Sequence, residues 1–113
     1  QGQNVKMAEV IWTESALSDL NDIAEYIALE NVVAAKQLVQ TIFSIVERLE
    51  AFPESGRIPP ELEHFSYREV VANPCRVFYK QDGDRVFILF VMRAERDLRK
   101  FLLSRQKSLG MSG

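Results

Sequence analysis

The chain has 113 residues, enough for about one domain with a single modest core, and its 47% apolar and 27% charged content is that of a folded globular protein. No apolar run approaches the roughly 20 residues that a bilayer span needs, and one cysteine with one histidine supply too few nitrogen and sulfur ligands for a metal site. No metal, cofactor or membrane is therefore expected. The net charge of −2 hides an asymmetry: residues 1–54 carry nine acidic and three basic groups, net −6, and residues 55–113 carry seven acidic and eleven basic, net +4. Such a division places an electrostatic face on the second half of the chain. The pI near 5.4 argues against a surface that grips nucleic acid all round.

Residues 1–6 read as a tag remnant or a short tail, with Met7 as the natural start, and nothing in them has the apolar stretch of a secretory leader. A lone Cys75 cannot form an internal disulfide and fits a reducing cytoplasm, the expected location. The domain is expected over residues 7–98. Its first strand is Glu9-Val10-Ile11-Trp12. Thr13 is a good helix N-cap with Glu14 favourably placed in the first turn. Ala16, Leu17, Leu20, Ile23, Ala24, Ile27 and Ala28 then recur at the period of an amphipathic helix, with Asp19, Asp22 and Glu25 on the wet side.

Asn31 can cap a second helix whose apolar positions run from Ala35 through Leu38, Ile42, Val46 and Leu49 to near Phe52, where Pro53 disfavours continuation. A joint of about three residues makes the two helices an antiparallel hairpin. A loop punctuated by Pro53, Gly56, Pro59 and Pro60 leads to three strands, at residues 67–72, 76–80 and 85–93. Gln81-Asp82-Gly83-Asp84 signals a tight turn between the last two. The run Val86-Phe87-Ile88-Leu89-Phe90-Val91 does not alternate, so that strand is read as central and covered on both faces. Leu98, Phe101 and Leu102 lie at helical spacing, so residues 99–113 are a C-terminal extension, either a short helix or a tail ordered by a partner. The fold class is α+β, in the order β-α-α-β-β-β, with the helical hairpin on one face of a small, mainly antiparallel sheet and the other face available to a partner.

Known catalytic signatures are missing: the chain has no Gly-rich phosphate loop, no Gly-x-Ser-x-Gly and no His-Glu-x-x-His. His64 reads as a surface histidine in the loop, and Cys75, with no second histidine to pair with, as a packed thiol. The arginines are the candidates. Arg68, Arg76 and Arg93 sit beside apolar runs, and a guanidinium stays charged and pairs with phosphate or carboxylate in a two-pronged geometry. Arg57 follows Gly56 at a bend, where carbonyls, Glu54 or Glu61 can also tie it down.

Trp12-Thr13, Ala16, Asp19-Leu20, Ile23, Tyr26-Ile27, Ala35, Leu38-Val39, Leu49, Phe52-Pro53 and Gly56-Arg57 resemble the RelE/ParE toxin family. So do Tyr67-Arg68-Glu69-Val70-Val71, Pro74, Arg76-Val77, Tyr79, Val86, Ile88, Val91 and Arg96-Asp97-Leu98. The similarity covers about residues 8–98. It implies the toxin of a type II toxin–antitoxin system, held by a cognate antitoxin in a hetero-oligomer. The Phe-Pro-x-x-Gly-Arg loop and long helical hairpin are similar to the ParE branch, which inhibits DNA gyrase without a known catalytic centre. The resemblance then implies a target-binding surface of Arg57, Arg68, Arg76, Tyr79, Arg93 and Arg96, with Leu98, Phe101 and Leu102 binding the antitoxin. The alternatives are a RelE-like, metal-free endoribonuclease that cuts messenger RNA on the ribosome with Arg76, Arg93 and Tyr79, or a non-toxic module that only binds antitoxin. Two departures disfavour cleavage: Cys75 stands where many relatives have a tyrosine, and Arg93 where many have a histidine. An arginine cannot transfer protons near neutral pH.

Overall fold

The computed structural model describes residues 7–110, with side chains to Arg105; the expected tail at residues 1–6 and the last three positions of the extension lie outside them. The described elements are β1 (Glu9–Trp12), α1 (Glu14–Ala28), α2 (Val32–Glu47), β2 (Tyr67–Ala72), β3 (Cys75–Asp82), β4 (Arg85–Arg93) and α3 (Leu98–Gly110). Short 3-10 turns at Arg48–Glu50 and Pro60–Leu62 complete them. Thr13 caps α1 as its sequence position suggests: its Oγ1 accepts from the Ala16 amide at 3.1 Å and donates to the Ile88 carbonyl at 2.7 Å. The cap thus also fastens the helix start to β4. Asn31 caps α2 by accepting from the Ala34 amide at 2.9 Å, and α2 ends at Glu47 rather than near Phe52.

The sheet order is β1-β4-β3-β2, with β1 parallel to β4 and both other pairings antiparallel. Gly83 turns the β3–β4 hairpin at φ 64°, a region that glycine enters without a Cβ penalty. Tyr79 pairs with Ile88 and Phe78 with Phe90, so Leu89 is an extra residue on β4. That bulge reverses the alternation: Val86 and Ile88 face the helices before it, and Val91 does so after it, leaving Phe90 and Met92 on the far side.

Two cores result. Ala16 and Leu20 of α1 and Leu38, Ile42 and Val46 of α2 pack on Val77, Tyr79, Val86, Ile88 and Val91 of the sheet. On the opposite face Leu98 and Phe101 of α3 close over Leu62, Phe78 and Met92, with Tyr67, Phe90 and Leu102 around them. The face expected to be open is therefore partly roofed by the chain's own last helix. The extension folds as a helix of 13 residues beginning at Leu98, because Phe78, Phe90 and Met92 offer it apolar surface to bury. Asp19, expected on the wet side of α1, is instead turned inward. Beyond Trp12 no β1 residue pairs with β4, and Asp19 Oδ2 accepts the Val91 amide there at 3.1 Å. Its Oδ1 accepts from Arg105 of α3 at 2.5 Å, and Arg105 also bonds Ser15.

Candidate functional site

The loop of residues 52–66 is pinned to β2 and β3 by the residues that the sequence singles out. Tyr79 is fully buried; its hydroxyl donates to the Pro53 carbonyl at 2.8 Å and accepts from the Gly56 amide at 2.9 Å. Burial raises its phenol above the usual range. A Cβ at Gly56 would lie 2.6 Å from that hydroxyl and 2.7 Å from the Glu69 carbonyl oxygen, so only glycine fits. Arg57 adds a short antiparallel bridge outside β2, exchanging backbone hydrogen bonds with Glu69 at 3.0 and 2.8 Å. Arg68 Nη1 donates to the Gly56 carbonyl at 2.8 Å.

Glu69 is the centre of this fastening. Its side chain is fully buried, and each carboxylate oxygen takes one guanidinium: Arg57 Nε on Oε2 and Arg76 Nε on Oε1, both at 2.6 Å. The remaining prongs of Arg76 close on Glu61 at 3.0 and 2.9 Å, and its guanidinium lies 4.9 Å over the Phe78 ring. The Glu61 hydrogen bonds, then those of Glu69, hold Arg76 more firmly charged than usual, and Arg76 in turn holds Glu61 below the usual carboxylate range. A buried ion needs this many partners because desolvation is costly. Glu69 was not among the sequence candidates; its signal was a lone carboxylate in β2, between Arg68 and the apolar run Val70-Val71-Ala72.

Arg68, Arg76 and Arg93 do not converge on one surface. Arg68 alternates with Val70 and Ala72 on the helix side of β2, Arg76 shares the far side with Phe78, and Arg93 follows Val91 back to the helix side at the end of β4. Arg93 lies 5.1 Å over the Tyr26 ring and 3.0 Å from Glu95. That contact has ion-pair distance without hydrogen-bond direction, and the buried Arg93 Nε lacks a hydrogen-bond partner among the described residues. Arg96 is exposed, 5.7 Å over Phe101. Leu98 and Phe101 are buried in the second core and Leu102 is half-buried at its border. His64 is exposed, 3.9 Å from Glu63. Cys75 is fully buried, and burial pushes its thiol up to about 11. Among the described residues no cluster of three metal-ligating side chains occurs, and no helix is long and apolar enough to cross a membrane.

The family described as the ParE toxin of type II toxin–antitoxin system, parDE, matches residues 10–98. The match thus stops where α3 begins. Toxin RelE2 of Caulobacter vibrioides is 34% identical over 79 residues, 68% of this chain and 85% of that protein. Among solved structures, a chain of the chromosomal ParDE system from P. aeruginosa superposes with a TM-score of 0.65 at 26% identity, over 78% of this chain and 97% of its own. The RelBE2 toxin–antitoxin complex of Mycobacterium tuberculosis gives 0.53 at 22% identity, over 77% and 98%, a likeness of fold.

Proposed function

Because the chain belongs to the ParE toxin family of type II toxin–antitoxin systems, we propose that it acts by recognition, inhibiting DNA gyrase in the cytoplasm and being neutralised by a cognate antitoxin. The observation that carries this reading is the closure of Arg76. In a ribonuclease reading Arg76 would stabilise the phosphate and Tyr79 would move a proton. Here the Arg76 guanidinium is bound by Glu61 and Glu69, and the Tyr79 hydroxyl is buried between Pro53 and Gly56. A general acid or base must reach the proton it transfers, and a phosphate clamp must have donors to offer. Arg93 and Arg96, outside this network, are the arginines placed to touch a target. The exposed side of α3 and its border residue Leu102 supply an antitoxin contact, with Leu98 and Phe101 holding the helix beneath it. The solved relatives described as ParDE and RelBE2 systems favour such a partner.

Induced expression in a bacterium tests the choice. Gyrase inhibition gives replication arrest and DNA-damage signalling with intact messages, and purified chain blocks supercoiling. Codon-phased message cuts that vanish with Arg76→Ala would replace this reading by the ribonuclease one. Co-expression with the product of the neighbouring reading frame should restore growth and yield a complex that survives high salt, since an interface that buries apolar groups is not dissolved by screening.

A further inference from the structure

The helical hairpin packs one face on the sheet, and a groove of about 380 Å³ runs between α1 and α2 that no residue of the sheet or of α3 lines. Its floor is apolar, made by Ala24 and Ala28 of α1 and Val32, Ala35 and Val39 of α2. The rims are charged and opposite in sign: Glu25 stands on the α1 side and Lys36 on the α2 side. Both are exposed, and neither makes an ion pair among the described residues. Leu17, one heptad before Ala24, and Phe43, one heptad after Lys36, prolong the strip on the two helices, the spacing of a seam between packed helices. They are 43% and 41% exposed, and Val32 is 55% exposed.

We propose that this groove seats a second copy of the chain, the two hairpins meeting face to face about a twofold axis that runs along it. Such an axis lays α1 of one copy over α2 of the other at the same height. Glu25 of each copy then meets Lys36 of the other, so every rim charge is paired. The charge pattern selects the occupant. A partner helix of a single sign would satisfy one rim and be repelled by the other, whereas the same surface brought round by the twofold offers the opposite charge at both. The alanines of the floor let the backbones approach, and Val32 and Val39 of the two copies close over them. Glu14 and Glu47, at the other end of the hairpin, would face each other if the helices lay parallel. The crossing of about 50° common between packed helices separates them and gathers the contact at the Ala28 and Val32 end. The proposal is independent of the target: α3 lies on the opposite face of the sheet, and Arg93 and Arg96 do not line the groove, so the dimer leaves them open.

Sedimentation equilibrium of the purified full chain measures the association, and the wild type should pass from monomer to dimer as concentration rises. Glu25→Lys and Lys36→Glu should each weaken the dimer by about tenfold or more, since each turns two attractions into two repulsions. Combining them in one chain should restore the wild-type constant, which damage to the fold would not do. Val32→Ser should also weaken the dimer, by removing exposed apolar surface at no cost in charge. Unchanged circular dichroism and urea midpoints show that each variant is folded. A wild type that stays monomeric at every concentration overturns the proposal. So does a dimer that the single variants leave intact, or one that the double variant fails to restore. If the wild type is monomeric and Val32→Ser instead weakens the complex with the product of the neighbouring reading frame, the groove belongs to that partner and not to a second copy.

Discussion

The Gly56 amide donates to the Tyr79 hydroxyl at 2.9 Å across a gap that admits no Cβ. One hydrogen bond and one missing side chain thereby set the path of the loop over β3. Tyr79→Phe leaves the Gly56 amide without its partner in a buried position and should cost about 1–3 kcal/mol in urea unfolding. Gly56→Ala should cost more. Combining it with Tyr79→Phe should not restore stability, because the Glu69 carbonyl oxygen still lies 2.7 Å from the new Cβ. Recovery in the double variant would show that the hydroxyl alone sets the clash.

The two guanidiniums on Glu69 are unequal. The Arg76 side chain is 9% exposed and that of Arg57 is 60% exposed. Arg76→Met should destabilise by about 3–5 kcal/mol, since it leaves a fully buried carboxylate half-satisfied. Arg57→Met should cost less, about 1–3 kcal/mol: it frees the other Glu69 oxygen, but the space left by an exposed guanidinium lets water reach it. Urea midpoints that rank the two variants in the opposite order would refute this assignment.

Acid should act on two carboxylates in opposite senses. Arg76 holds folded Glu61 below its unfolded value of 4.5, so the folded chain binds fewer protons there. Its contribution is complete above pH 4.5 and is lost as the pH falls through the lower, folded value. Asp19 is raised above 3.8 chiefly by burial, against the Val91 amide and Arg105. Its contribution is present below 3.8 and is lost as the pH rises through the folded value. Unfolding followed from neutrality into acid should show a shallower loss of stability in Glu61→Gln and a steeper one in Asp19→Asn.

Arg105 ties α3 to α1 through Asp19 and Ser15 and stacks at 4.9 Å over Phe101. Arg105→Met should lower the local stability of α3 by about 1.5–3 kcal/mol, the range for hydrogen bonds to charged groups. Amide exchange at Phe101 and Leu102 should quicken, while the Val91 amide keeps its protection because Asp19 still caps it. Equal quickening at Val91 would mean that Asp19 depends on Arg105 for its position.

Local signals in the sequence determined the elements. Thr13 and Asn31 start the helices because their side chains can take a helix amide, and Gly83 allows the last hairpin, whereas α2 stops at Glu47, well before Pro53. The ordered set from Trp12 to Leu98 determined the family. The tertiary structure alone decided how the charges are used. Whether an arginine is a fastening or a contact depends on which acceptors the fold brings within 3 Å of it, and those lie far along the chain: Glu61 for Arg76, Asp19 for Arg105. The bulge at Leu89 was illegible for a related reason, since an extra residue inside an all-apolar strand leaves no break in the pattern. The roof over Phe78 and Met92 also depended on placement: the spacing of Leu98, Phe101 and Leu102 fits a helix wherever it docks, and only the folded sheet supplies the apolar surface that holds it.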